Sequence, residues 1–113
     1  MKEGSVVIAA LPQADGSVKS RPTIVLREMP PFRDLLVCGV SSQLHQQVQG
    51  FDETITPADA DYAASGLLAS SVIRLGFLSA IPRKDIEGTI GKISAQRHRR
   101  LLKSLSDYLI GKK

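Results

Sequence analysis

The side chains best suited to chemistry in this sequence are arginines. Arg21 stands before a proline, Arg74 lies in an apolar run, and Arg97-His98-Arg99-Arg100 is the densest positive cluster. A planar guanidinium can bind two phosphate oxygens at once. Lysine and arginine number 15 against 11 acidic residues, and the net charge of +4 suits a polyanion such as nucleic acid. Taken alone, Arg21 is better explained as a solvated residue beside a strand, and the cluster as the solvated face of a helix.

The composition predicts one domain over residues 1–113. With 113 residues, 42% of them hydrophobic, the chain is long enough to bury a single core without a metal or a disulfide. The single cysteine, Cys38, can form no internal disulfide, which favours a reducing compartment, the cytoplasm. The apolar stretch near the N-terminus has only about seven residues, too few to span a membrane. We expect no cofactor, no metal and no membrane association.

Five short segments bounded by turn residues predict the β-strands that would position these arginines. They are Val6–Leu11, Thr23–Leu26, Leu35–Val40, Phe51–Thr56 and Ser71–Leu75. Leu35–Val40 is a continuous apolar run and is predicted as a buried central strand. Arg21-Pro22 is expected to precede the second strand, and Ala58–Ala64 is predicted as a loop.

The C-terminal third changes to the period of an α-helix. Ser94 is the expected N-cap and Gly111 the expected stop, so the pattern predicts a helix of about fifteen residues. Its apolar face consists of Leu101, Leu102, Leu105, Tyr108 and Leu109. Strands followed by one helix indicate a small α+β fold in which the helix covers an open end or face of a curled sheet.

Five short motifs occur in one order along nearly the whole chain. They are Gly4-Ser5-Val6-Val7, Arg21-Pro22-Thr23-Ile24-Val25-Leu26, Val37-Cys38-Gly39-Val40-Ser41-Ser42, Ser71-Val72-Ile73-Arg74 and Ile90-Gly91-Lys92-Ile93-Ser94. Together they resemble the MazF/PemK toxin family. The resemblance implies a small SH3-like β-barrel of five to seven short strands with a C-terminal α-helix. It also implies a homodimeric, metal-independent endoribonuclease that cleaves single-stranded mRNA at short sequences and is inhibited by a cognate antitoxin protein.

The resemblance further implies the residues of the site. Metal-free RNA cleavage uses the ribose 2′-hydroxyl as nucleophile, so the protein must help remove its proton, stabilise charge at phosphorus and protonate the departing 5′-oxygen. Arg21 matches the family's Arg-Pro motif, Ser41 stands where threonine is usual, and Arg74 matches a catalytic arginine of the PemK-like branch. RNA contacts are expected at Asp15, Ser17, Lys19, Ser42 and His45.

Two positions depart from the family pattern. Gly76 stands where the PemK-like branch has an aspartate as general base, and the first turn, Asp15-Gly16-Ser17-Val18, lacks that branch's histidine or glutamate. Asp15 and His45 are the nearby substitutes, although an exposed loop histidine without a role is more usual. The departures favour a second hypothesis, a catalytically degenerate module that binds RNA or an antitoxin-like peptide. A gyrase-poisoning toxin would share the barrel, but the Arg-Pro motif argues against it.

Aromatic residues are few. The chain has three phenylalanines, two tyrosines and no tryptophan, so base stacking is not expected to be the main source of RNA affinity. Stacking would become important only if Phe32, Phe51 or Phe77 were exposed in a groove, and core packing is the default prediction for all three.

Overall fold

The protein is one antiparallel sheet of six strands with a C-terminal helix, and a computed structural model describes residues 2–112. The strands are β1 (Ser5–Pro12), β2 (Val18–Met29), β3 (Asp34–Ser41), β4 (Glu53–Ile55), β5 (Ser71–Ile81) and β6 (Ile86–Lys92). The helices are α1 (Tyr62–Ser65) and α2 (Ala95–Leu109), and short 3-10 turns lie at Leu44–Gln46 and Arg83–Asp85. The strand order is β4-β5-β3-β2-β1-β6, and the sheet curls into a half-barrel. The predicted α+β fold is confirmed.

Side chains alternate between the two faces of this curled sheet, and each face carries a hydrophobic core. One face, here called the helix face, packs Ile24, Cys38 and Ile73 against Leu101 and Leu105 of α2. The other face, here called the opposite face, carries a second core made of Val7, Ala9, Leu11, Val25, Leu35, Val37 and Ile81. Strands with two buried faces read as continuous apolar runs rather than as alternating patterns.

Strand β3 is the central strand, as predicted. It pairs with β2 along one edge and with β5 along the other, and both faces of its second half are buried. Cys38 lies in this part of the strand, and burial raises the pKa of its thiol to about 12. The thiol therefore stays protonated at neutral pH and is not a nucleophile.

Three strands differ from their predicted bounds. Arg21 and Pro22 lie inside β2 rather than before it. Proline is tolerated there because β2 pairs with β3 only from Thr23 onward, so the missing N–H interrupts no ladder on that side. In addition, β5 continues past Leu75 to Ile81, and β4 is confined to Glu53–Ile55.

Helix α1 and strand β6 lie outside the predicted elements. Helix α1 occupies part of the predicted loop, and β6 is mostly exposed, so it lacks the alternation that marks a strand. The two meet at glycines: a Cβ on Gly66 would overlap the backbone of Ile90, and a Cβ on Gly91 would overlap that of Ala64. Strands β4 and β6 are the two edge strands of the half-barrel. This close approach brings the segment that follows β4 into contact with β6.

Helix α2 has the predicted ends. The Ser94 hydroxyl accepts a hydrogen bond from the Arg97 backbone N–H at 3.1 Å, as an N-cap does. The helix runs for 15 residues, and Gly111 follows it with φ +75°. Within residues 2–112, no helix is both long enough and apolar enough to cross a bilayer.

Arg97, in the first turn of α2, is buried, so the prediction that it forms part of a solvated face was wrong. Its guanidinium donates to Asp61 at 2.8 and 3.1 Å and to Glu53 at 2.9 Å, and Asp59 lies 3.6 Å away. The hydrogen bond from Arg97 lowers the pKa of Asp61 to about 2. The network ties α2 to β4 and to the segment that leads into α1.

Two of the other three members of the basic cluster are also engaged within the fold. Arg100 donates to Glu53 at 3.0 and 3.1 Å, and a ring nitrogen of His98 lies 2.8 Å from the Leu26 carbonyl oxygen. Arg99 is exposed. The cluster therefore acts mainly inside the fold, which the sequence alone does not show.

We expect Asp61→Asn to lower the free energy of unfolding by about 3 kcal/mol, because Arg97 stays buried with less negative charge around it. The Asp61 pKa falls from an ordinary 3.8 to about 2 on folding. Its contribution is therefore present above about pH 4 and is lost as the pH falls toward 2. Denaturant unfolding of both proteins across this range measures the difference.

Asp107→Asn is the matched control for this prediction. Asp107 pairs with Lys103 on the exposed surface of α2, and such pairs contribute little. The control should leave the unfolding midpoint nearly unchanged. A similar loss in both variants would contradict a special role of the buried network.

Candidate functional site

The strand register places Arg21 and Arg74 on one face of the sheet. Thr23 of β2 lies opposite Gly39 of β3, and Gly39 lies opposite Arg74 of β5. Paired residues point to the same side, and residues two apart on a strand share a face. Arg21, two residues before Thr23, is therefore on the same side as Arg74. This side is the opposite face, away from α2.

One aromatic ring connects the two arginines. The Cζ atoms of Arg21 and Arg74 lie 5.9 and 5.6 Å from the centroid of the Phe77 ring, within cation–π range. The ring rests on Gly39, where a Cβ would overlap it. Phe77 packs on the second core as predicted, but it remains partly exposed. Its position between the arginines was missed by sequence reasoning.

The other two phenylalanines have different surroundings. Phe51 packs on the helix-face core and against Tyr108, with ring centroids 4.9 Å apart. Phe32 is 82% exposed in the connection between β2 and β3, so its predicted core position was wrong. The residues of that connection, 30–33, are all exposed and belong to neither core.

Gln13 holds Arg21 from the other side. Arg21 Nε donates to Gln13 Oε1 at 3.0 Å, and Gln13 Nε2 donates to the Leu11 carbonyl at 2.8 Å. Gln13 belongs to the turn between β1 and β2, where a glutamine gives no sequence signal. Within residues 2–112, the two terminal nitrogens of Arg21 have no hydrogen-bond partner, so they remain available to a ligand.

Within the part of the chain that is described, neither Arg21 nor Arg74 forms an ion pair. The ion pairs of the described residues use Arg27, Arg33, Arg83, Arg97, Arg100 and Lys103 instead. Two guanidinium groups near one ring and without carboxylates make this face attractive to an anion. Phosphate oxygens suit the planar donor geometry of arginine.

Gly76 lies in a break in the pairing between β5 and β3. Cys38 is opposite Leu78 while its neighbour Gly39 is opposite Arg74, so residues 75–77 bulge out of the ladder. Asp52 fixes the bulge by accepting a hydrogen bond from the Leu75 N–H at 2.9 Å. Gly76 is exposed, and nothing lies within 4 Å of where its Cβ would be. The position therefore has space for a larger side chain.

The two serines face different surroundings. Ser41 ends β3 on the same side as Gly39 and is buried, and its hydroxyl oxygen accepts a hydrogen bond from the Gln43 N–H at 3.0 Å. Its hydroxyl proton is still free to be donated. Ser42 is exposed and lines a cavity that belongs to the helix face.

That cavity has a volume of about 570 Å³ and lies beside Arg21. Lys19 and Ser42 are on its polar side, and Leu67 and Leu68 are on its apolar side. Leu68 is 98% exposed. Ser42 is thus separated from Arg74 by the sheet, whereas Lys19, two residues before Arg21 on β2, shares the opposite face with both arginines by register. Arg21 borders both regions.

The remaining predicted RNA contacts lie in turns. Ser17 donates from its N–H and its hydroxyl to Asp15 Oδ1 at 2.9 and 2.6 Å, and these bonds lower the pKa of Asp15, so it is a weak base. His45 is exposed in the turn after β3. Over residues 2–112, no hydrogen bond joins Asp15, Ser17 or His45 to either arginine of the site.

No group of three or more histidine, cysteine, aspartate or glutamate side chains within residues 2–112 is arranged to hold a metal ion. The donors at the site are instead guanidinium and hydroxyl groups. They are suited to an oxyanion rather than to a cation.

Comparison with known proteins agrees with the fold. The toxin MazF-mt6 of Mycobacterium tuberculosis has a similar structure, with a TM-score of 0.69 and 21% sequence identity over 96% of this chain and 98% of that chain. None of the curated proteins matches the sequence. A family model described as PemK-like, MazF-like toxin of type II toxin–antitoxin systems matches residues 2–109. The match extends over nearly the whole chain, so the protein belongs to the PemK-like, MazF-like family of type II toxins.

Proposed function

We propose that this chain is the toxin of a type II toxin–antitoxin system and cleaves single-stranded RNA without a metal ion. The observation that carries the proposal is the pair of arginines, Arg21 and Arg74, on one sheet face without carboxylate partners. Endoribonuclease activity is general in the family to which the chain belongs. The proposed site adds the phosphate-binding chemistry that such an activity needs.

In the proposed reaction the ribose 2′-oxygen attacks phosphorus, and the bond from phosphorus to the 5′-oxygen breaks. The 2′-hydroxyl proton must leave, and the 5′-oxygen must receive one. Arg21 binds the phosphate oxygens and stabilises the charge that develops on them. Arg74 assists from β5, and Ser41, which can still donate its hydroxyl proton, positions the reacting groups.

Arg21→Ala should reduce RNA cleavage by about 10²- to 10³-fold, the usual loss when one stabilising donor is removed. The fold should remain, because Arg21 is only half-buried and joins no ion pair in the described region. The assay is cleavage of a long single-stranded RNA in EDTA, with mapped ends and a single 2′-deoxy substitution at a cut site. The substitution should block cleavage.

Arg27→Ala is the matched control, since Arg27 lies on the same strand but is exposed and paired with Glu3. It should keep wild-type activity. Equal activity of Arg21→Ala and wild type would contradict the assignment, as would cleavage that requires a divalent metal.

Gly76 favours a second candidate, a module that binds RNA or an antitoxin segment without cleaving. Within the described residues, no carboxylate pairs with Arg21 or Arg74. The Asp52 carboxylate beside Arg74 is buried and accepts two backbone N–H groups, and Asp15 has a lowered pKa within its own turn. General base assistance contributes about 10²- to 10⁴-fold. Its loss leaves phosphate binding intact while it slows the chemical step.

Gly76→Asp separates these two candidates. The position is exposed and open, two residues from Arg74, so the variant should fold and should raise the cleavage rate by at least about 10-fold. Gly88→Asp, at an equally open and exposed glycine of β6, introduces the same charge away from the site and should leave the rate unchanged. Rates are compared on one RNA at one salt concentration.

Two other outcomes of this comparison are informative. If wild type cleaves and Gly76→Asp is no faster than Gly88→Asp, another group already removes the proton. If neither wild type nor Gly76→Asp cleaves although both bind RNA, the chain is the binding module.

The proposed toxin has two protein partners, an antitoxin and a second copy of itself. An antitoxin is implied by the family, and an acidic, partly disordered segment would complement the two unpaired arginines and the net charge of +4. The homodimer is supported by exposed apolar side chains on two surfaces of the single chain. Leu68 and Ile90 border the cavity, and Tyr108, Leu109 and Ile110 lie at the end of α2.

Light scattering at micromolar concentration should therefore give twice the mass of one chain. Leu68→Asp and Leu109→Asp place a charge on one apolar surface each, and the variant on the interface should shift the mass toward one chain because a buried unpaired charge is costly. A monomer mass for wild type would contradict the proposal.

A further inference from the structure

We propose that Phe77 is a positioning residue that holds Arg21 and Arg74 ready for a phosphate group. The inference rests on the proposed function, because it assigns the ring a task in the same site. The observation behind the proposal is the position of the Phe77 ring near both guanidinium groups. The ring centroid lies 5.9 Å from Arg21 Cζ and 5.6 Å from Arg74 Cζ.

The fold holds the Phe77 ring in this place from three sides. The bulge at residues 75–77 carries Phe77 out of the regular ladder, and Asp52 fixes the bulge at Leu75. Gly39 leaves open the space that the ring fills, since a Cβ there would overlap it. The ring also packs on the second core. It is therefore a fixed surface against which flexible side chains can be ordered.

An aromatic ring is well suited to this task because it orders arginines without neutralising them. A carboxylate between Arg21 and Arg74 would use their N–H donors and would compete with the incoming phosphate. A ring face attracts the guanidinium groups through its quadrupole and leaves the donors at their edges free. It also offsets part of the repulsion between two like charges. This explains why the site can lack acidic groups and remain ordered.

Ring-current shifts test the geometry without any activity. In wild type, the side-chain Nε–H and Cδ–H NMR signals of Arg21 and Arg74 should be displaced relative to Phe77→Leu. Phe77→Tyr should retain the displacement. Phe32→Leu is the matched control, since Phe32 lies in the β2–β3 connection, at the end of these strands away from Gly39. Arginine signals that are unchanged in Phe77→Leu would overturn the proposal.

Coupling to Arg74 tests the function of the ring. Phe77→Leu should lower kcat/KM for RNA by about 10-fold, which equals about 1.4 kcal/mol. Phe77→Tyr should restore most of the loss. In an Arg74→Ala background, the further loss from Phe77→Leu should shrink, because only the contact with Arg21 remains to be lost. An undiminished loss in that background would show that the ring acts on the RNA itself, for example by stacking on a base, and would overturn the positioning role.

The same cycle can be measured by binding, which keeps the two proposals distinguishable. The probe is a single-stranded oligonucleotide with 2′-O-methyl sugars, which the proposed reaction cannot cleave. If wild type fails to cleave RNA but the binding cycle shows coupling between Phe77 and Arg74, the catalytic proposal fails and the positioning role stands. If wild type cleaves and neither cycle shows coupling, the positioning role fails alone.

Discussion

The break in pairing at residues 75–77 is the feature on which the candidate site depends. If the register of Cys38 with Leu78 continued without a break, Phe77 would lie opposite Gly39, but Arg74 would lie opposite Ser42, beyond the end of β3. The bulge instead places Arg74 opposite Gly39, while the Phe77 ring packs on the same glycine. Bulges redirect side chains in this way and are common beside functional sites. Asp52, in the segment before β4, accepts a hydrogen bond from the bulge, so the geometry depends on the edge of the sheet as well as on its centre.

The distribution of acidic residues supports the same arrangement. Glu53, Asp59 and Asp61 surround Arg97, and Glu53 also forms an ion pair with Arg100. This network fastens α2 to the edge strand β4, and it removes carboxylates from competition for Arg21 and Arg74. Within the described residues, Arg21 and Arg74 stay without an ion pair and are open to an anion.

Sequence patterns predicted those elements whose signals are local. The apolar period and the caps at Ser94 and Gly111 define α2, and the run Leu35–Val40 marks the central strand. Arg21 and Arg74 were predicted as site residues from the resemblance to the family, and their spacing along the chain carried no such signal. The structure shows that register brings these two to one face.

The remaining features depend on contacts between distant segments. Arg97 is in a basic run, and only its contact with residues about forty positions earlier shows that it is buried. The same is true of Gln13, whose role requires Arg21 on the adjoining strand. Helix α1 and strand β6 are in close backbone contact at two glycines. A contact of this kind leaves no periodic pattern of apolar residues in the sequence, so the two elements could not be predicted from it.

Gly76 raises the question of what such a site can do without a carboxylate. Stabilising charge on the phosphate and moving the 2′-proton are separate tasks, and loss of the general base affects only the second. In the proposed reaction, two free arginines would still bind the phosphate and lower the barrier, since one such donor is commonly worth about 10²- to 10³-fold. The site should then be limited by proton removal, so its rate should depend on hydroxide or on a base supplied from outside more steeply than the rate of a site with its own carboxylate. Under the proposed mechanism, the geometry around Phe77 therefore sets the electrostatic part of catalysis, and the open space at Gly76 determines how fast the proton can leave.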